Sequence, residues 1–186
     1  MSRAWLCLVA VAAAATLACS EPPTKEFHQA EGAIAAARAA DAATYAPDEL
    51  KTAEDALARY DAAVSQHEYR PALSLAIEAR DGAYDAAKRA GNEKAAARGE
   101  AERLLGELEA LVRTAEARLA GPPRPPAATA ARLRTAVQSA QATLQEARTR
   151  VDAQQFQPAA TALTAEIQRV REILDLPAAA GARRGR

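Results

Sequence analysis

The sequence predicts an all-α fold: an elongated antiparallel helical bundle or coiled coil of about five helices, built as two related helical hairpins that share one long central helix. Three observations predict it. Alanine dominates a chain that is 49% hydrophobic yet only 4% aromatic, and alanine is the strongest helix former. Apolar residues recur three and four apart through most of the chain, which is the spacing of one helix face. No stretch alternates β-branched with polar residues as a half-buried strand does.

Each element follows from its seam and its punctuation. The first helix is predicted over Lys25 to Ala43, with Phe27, Ala30, Ile34 and Ala37 on one side. Tyr45-Ala46-Pro47-Asp48 breaks it, and Pro47 suits the first turn of the next helix. That second helix carries Leu50, Ala53, Leu57, Tyr60 and Val64 as a one-sided stripe. Gln66-His67-Glu68 is a polar connection, and Tyr69-Arg70-Pro71 opens a third helix that reaches Leu119. Its first part has a seam of Ala72, Ala76, Ala79, Ala83, Ala86 and Ala90; its second part has Leu104, Leu108, Leu111 and Ala115, supported by Leu105 and Val112. Gly91-Asn92 and Gly99 between them predict a soft bend or a domain boundary, since each glycine costs a helix about 1 kcal/mol relative to alanine.

The proline-dense run 121–126 ends that helix and reads as an extended spacer. A fourth helix follows with Leu133, Val137, Ala140, Leu144, Ala147 and Val151; a fifth carries Phe156, Ala160, Leu163, Ile167, Val170 and Leu174. Pro177 closes it, and 177–186 reads as a disordered tail. The expected domains are therefore a three-helix region over 25–98 and a second helical region over 99–176.

The two hairpins share a turn. Val64 matches Val151, Tyr69 matches Phe156, Pro71 matches Pro158 and Ala72 matches Ala159, all at an offset of 87 residues. Upstream, Leu50, Ala53 and Leu57 meet Val137, Ala140 and Leu144 at the same offset. One plan serves both: a valine closes a helix, an aromatic covers the turn, and a proline starts the next helix.

The first 19 residues carry the address. Arg3 gives a positive start, Ala4 to Leu17 form an apolar run, and Ala18 precedes Cys19. This is the layout of a secretory signal, and its ending at a cysteine resembles the lipobox of bacterial lipoproteins. That resemblance implies a signal peptide over 1–18, cleavage between Ala18 and Cys19, a diacylglycerol on the Cys19 thiol with palmitate among the acyl chains, and a short tether over 19–24. Thr16 and Leu17 stand where the family prefers leucine and a small residue. An ordinary secreted protein cut near Ala18 and an uncleaved membrane helix are the alternatives, although a spanning helix needs about 20 apolar residues. Cys7 lies in the apolar run and Cys19 would be acylated, so no thiol remains for a disulfide or a metal. Ser20 follows the cysteine where inner-membrane lipoproteins tend to carry aspartate, which points to the periplasmic face of the outer membrane.

Further residues carry a family resemblance. Ala36-Ala37-Arg38-Ala39-Ala40, then Tyr45-Ala46-Pro47-Asp48-Glu49-Leu50, then Leu57, Tyr69, Ala72 and Ala76, with Asp81 to Ala90 closing the stretch, resemble the bacterial envelope family called domain of unknown function 4398. The resemblance covers about Ala30 to Ala90. It implies a helical, exported or lipid-anchored protein, of which some relatives carry a peptidoglycan-binding domain, and it transfers no activity.

The chemical inventory is short. Basic and acidic residues balance at 24 each, so no overall field draws the chain to nucleic acid or anionic lipid. His28 and His67 are the two histidines; a metal site needs three or four converging ligands, and these read as surface residues. Glu100, Glu102, Glu107 and Glu109 share a helix with Arg98, Arg103 and Arg113 and read as charge pairs on a wet face. No nucleophile elbow, phosphate loop or dinucleotide fingerprint is present. The expectation is a membrane-tethered protein that is not an enzyme, needs no cofactor or metal, and acts as a scaffold, spacer or interaction module. Its partners would be the membrane through its lipid and a protein, or its own copy, through the helical seams. A periplasmic module holding a lipid or small apolar ligand between helices is the alternative.

Overall fold

A computed structural model describes residues 21–175; the signal segment, Ala18, Cys19 and Ser20, and the tail with Pro177 lie outside the described residues. All regular structure among the described residues is helical: α1 (Thr24–Ala39), α2 (Ala42–Tyr45), α3 (Pro47–Ser65), α4 (Tyr69–Ala120), α5 (Ala127–Asp152) and α6 (Phe156–Asp175). The chain divides into two compact units, Met1–Glu93 and Lys94–Arg186. Helix α4 runs unbroken through Gly91-Asn92 and Gly99, giving its first part to one unit and the rest to the other.

In the first unit α1 begins behind Pro22-Pro23 and buries Ala30, Ala33, Ile34 and Ala37. It stops earlier than the sequence suggests. Asp41 adopts a left-handed conformation at φ 63°, a state that aspartate tolerates better than most residues, and its N–H bonds to the Arg38 carbonyl at 3.0 Å. The chain then makes the one-turn α2 and buries Ala42 and Ala46. Helix α3 opens on Pro47, with Asp48 and Glu49 in the first turn, where they oppose the positive end of the helix dipole. Its buried residues are Leu50, Ala53, Ala56, Tyr60 and Ala63. Leu57 and Val64, expected on the seam, sit half-buried at its margin. Alanine takes the centre because it lets helix axes approach toward the close end of about 8–10 Å. The six alanines of the first part of α4, from Ala72 to Ala90, are each 0% exposed, and Ala30, Ala56 and Ala79 meet as a layer, one from each long helix.

The second unit is packed with larger side chains. Ala101, Leu104, Leu108, Val112 and Ala115 of α4 are buried. Val112 thus takes the central place expected for Leu111, which lies half-buried, because the helical period after Leu108 falls four residues on. Helix α5 starts after Pro126, held extended at φ −53° and ψ 149°. It buries Ala130, Leu133, Ala136, Ala140, Leu144 and Ala147, leaving Val137 and Val151 half-buried. Helix α6 buries Phe156, Ala159, Leu163, Ile167 and Val170; Ala159 replaces the expected Ala160, and Leu174 lies at the edge. Most of these residues form one continuous apolar cluster.

The repeated turn is the same in both units. His67 and Gln154 are left-handed at φ 60° and 59°. Glu68 N–H bonds the Ala63 carbonyl at 2.9 Å and His67 N–H that of Val64 at 3.0 Å; Gln155 bonds Arg150 at 2.8 Å and Gln154 bonds Val151 at 2.9 Å. These are the paired bonds of a Schellman motif, which satisfies carbonyls at a helix end. Each of these positions is 87 residues from its counterpart.

Candidate functional site

Cys19 and Ala18, the residues to which the sequence assigns chemistry, lie outside the described residues. The two histidines do not converge. His28 Nδ1 lies 2.9 Å from Glu31 Oε2 on an exposed face, and His67 Nδ1 lies 3.2 Å from the Tyr69 hydroxyl in the first turn. Among the described residues no group of three or more His, Cys, Asp and Glu side chains could hold a metal ion. No helix among them is long and apolar enough to cross a membrane.

Hydroxyls are used locally. Thr52, Ser74, Thr114, Thr135, Thr149 and Thr161 each donate to the carbonyl four residues back, a bond that competes with solvent exposure of the backbone and holds the side chain down. The acidic residues of α4 pair as their spacing suggests. Arg103 donates to both oxygens of Glu100 at 2.7 and 2.8 Å and to Glu107 at 2.8 Å; Arg171 of α6 also binds Glu107. Arg98 meets Glu102 at 2.7 Å, and Arg148 of α5 meets Glu109 at 2.7 Å. The bonds from Arg103 hold the Glu100 carboxyl below its ordinary pKa. Phe27 stacks on Tyr60 at 4.8 Å, and burial, with smaller contributions from Asp61 and Glu26, raises the Tyr60 phenol.

Two grooves remain. One, of about 430 Å³, lies between α1 and α3, with Phe27, Ile34 and Leu57 as its apolar surface and Glu31, Glu54, Asp61 and Arg38 around them. Arg38 Nη2 meets Glu54 Oε1 at 2.7 Å there. The other, of about 400 Å³, lies between α5 and α6 and is lined by Ala131, Thr135, Ala136, Ser139 and Ile173, with Arg132, Glu166 and Arg169.

Glu166 is the residue that sequence reading missed. It is 3% exposed, with Arg169 Nη1 at 3.0 Å from its Oε2. Its signal was positional: it falls three residues after Leu163 and four before Val170, on the seam. The matching position in the first unit is Ala79, 0% exposed. A buried carboxylate is costly unless paired, and Arg169 supplies that pair from a solvent-exposed position.

No protein-family model, curated protein or solved structure matches this chain.

Proposed function

We propose that this protein is a lipid-anchored helical component of a bacterial envelope, acting as a non-enzymatic scaffold, spacer or protein-interaction module. The observation that carries the reading is the apolar run from Ala4 to Leu17 ending at Ala18-Cys19, directly ahead of an α-helical chain. The likeness of Ala30 to Ala90 to the envelope family named above supports it, as does a surface whose acids and bases neutralise one another. Acylation at Cys19 would hold the chain at the membrane, with outer-membrane placement favoured by Ser20. Radiolabelled palmitate tests this: the native chain takes up label and Cys19→Ala does not, whereas equal labelling of both would remove the anchor.

A second reading is favoured by the α5–α6 groove. Its apolar floor of Ala131, Ala136 and Ile173, with the guanidinium groups of Arg132 and Arg169 beside it, suits an amphipathic anion such as a fatty acid. Titration with oleate followed by calorimetry tests it; binding lost in Arg132→Ala supports the reading, and no heat at saturating oleate removes it.

A further inference from the structure

We infer that the outward face of the first part of α4 is a self-association surface, filled by the same face of a second copy of this chain in parallel, in-register pairing. Among the described residues, the large hydrophobic side chains left exposed are Leu73 at 37%, Ile77 at 36% and Tyr84 at 57%. All three lie on one side of one helix, roughly 100° around it from the buried alanine seam. With Arg80, Ala87 and Gly91 they form a row with alternating spacings of four and three, the repeat of a coiled-coil seam. The fold does not require it. The matching positions of α6 hold Ala160, Thr164 and Arg171, and Arg171 is paired with Glu107. The second unit therefore builds the same helix without an outward apolar row.

Charge selects the occupant and its direction. Arg80 and Asp81 stand on opposite flanks of the row and bond one another at 2.8 Å in the single chain. A two-fold axis parallel to the helix brings one flank of the first copy against the other flank of the second. Each Arg80 then faces the second copy's Asp81, while Ile77 and Tyr84 meet their own counterparts. Antiparallel pairing about the same centre sets Arg80 on Arg80 and Asp81 on Asp81, and like charges repel. Isologous two-fold contacts of this kind are the commonest in soluble oligomers. The row from Leu73 to Gly91 is about 27 Å long and carries three large side chains, so the contact belongs at or below the small end of specific interfaces, about 1,200 Å², and the association is weak. Chains held on one membrane by their N-termini would meet in the parallel sense at raised local concentration.

The inference deepens the interaction-module reading and rests on it, but its test needs no lipid, so loss of the anchor and loss of pairing are read separately. The full chain with Cys7→Ser and Cys19→Ser, in a mild non-ionic detergent, receives one cysteine at Ile77 on the row or at Glu78 on the adjoining face, and is oxidised. Ile77→Cys cross-links about tenfold faster than Glu78→Cys, a ratio equivalent to about 1.4 kcal/mol. Adding Arg80→Asp to Ile77→Cys slows cross-linking, and adding Asp81→Arg to that variant restores it, with helix content by circular dichroism unchanged throughout. Equal rates at 77 and 78, no cross-link at 77, or a cross-link at 77 indifferent to Arg80→Asp overturns the inference.

Discussion

The two units reverse their chains through turns with matching backbone hydrogen bonds and then fill the space beneath them differently. Past the turn, the first unit places Ala72, Ala76, Ala79 and Ala83 where the second places Ala159, Leu163, Glu166 and Val170. The first core breaks into three small clusters, whereas most of the second core forms a single cluster of leucine, isoleucine, valine, alanine and phenylalanine. The difference teaches that the hairpin plan resides in the turn, not in the side chains it encloses. Alanine seams draw helices close and lose little side-chain entropy, but each residue buries little apolar area. Leucine seams bury more and depend on complementary shape.

The strongest way to break that comparison is to exchange the paired residues. Leu163→Ala should destabilise the second unit by about 3 kcal/mol, since it removes a 0%-exposed leucine and leaves a cavity. Ala76→Leu should destabilise the first unit by about 2 kcal/mol for the opposite reason, overpacking of a close helix contact. Urea unfolding followed by far-ultraviolet circular dichroism checks both. All four tyrosines, at 45, 60, 69 and 84, fall in the first unit, so the tyrosine near-ultraviolet signal should follow Ala76→Leu and be indifferent to Leu163→Ala. Two cores of equal tolerance would show equal losses for the two exchanges.

Where the units agree, the effects should agree. His67→Gly and Gln154→Gly each place glycine at a left-handed position, and each should stabilise the chain by about 1 kcal/mol, as glycine is favoured there. Thermal unfolding of the two variants sharpens the comparison: similar gains support one turn plan, while a gain in one alone separates the turns. The smallest effect concerns acid. The Glu100 carboxyl is held low by Arg103, so its contribution is present above the unfolded-state pKa and is lost as pH falls through the folded-state value. Carbon-detected NMR should find Glu100 titrating below an ordinary glutamate, and Arg103→Ala should return it to the ordinary range.

Sequence alone reached the helices because their punctuation is chemical: Pro47, Gln66 to Glu68, the prolines of 121–126 and the Pro71–Pro158 match all survive into the structure. It placed Ala72 to Ala90 on a seam, and all six are fully buried. It did not foresee the reversal at Asp41, since aspartate in a left-handed conformation resembles any helix-surface aspartate until its N–H finds the Arg38 carbonyl. It also gave Leu57, Leu111 and Val137 the central places that Ala56, Val112 and Ala136 hold, because neighbours one residue apart share a helical period and only the facing helix chooses between them. Glu166 escaped for a related reason: polarity argued for the surface while its position on the seam argued for burial. The site of assigned chemistry, Cys19, was legible only as a resemblance, as a thiol's modification depends on an enzyme that reads the segment before it.

That cysteine joins the helical units to their proposed role, and the mass of the N-terminal peptide from membrane-extracted protein tests it most directly. The account predicts a chain that begins at Cys19 and carries diacylglycerol on its sulfur. A chain that begins elsewhere, or at Cys19 with a free thiol, would contradict it.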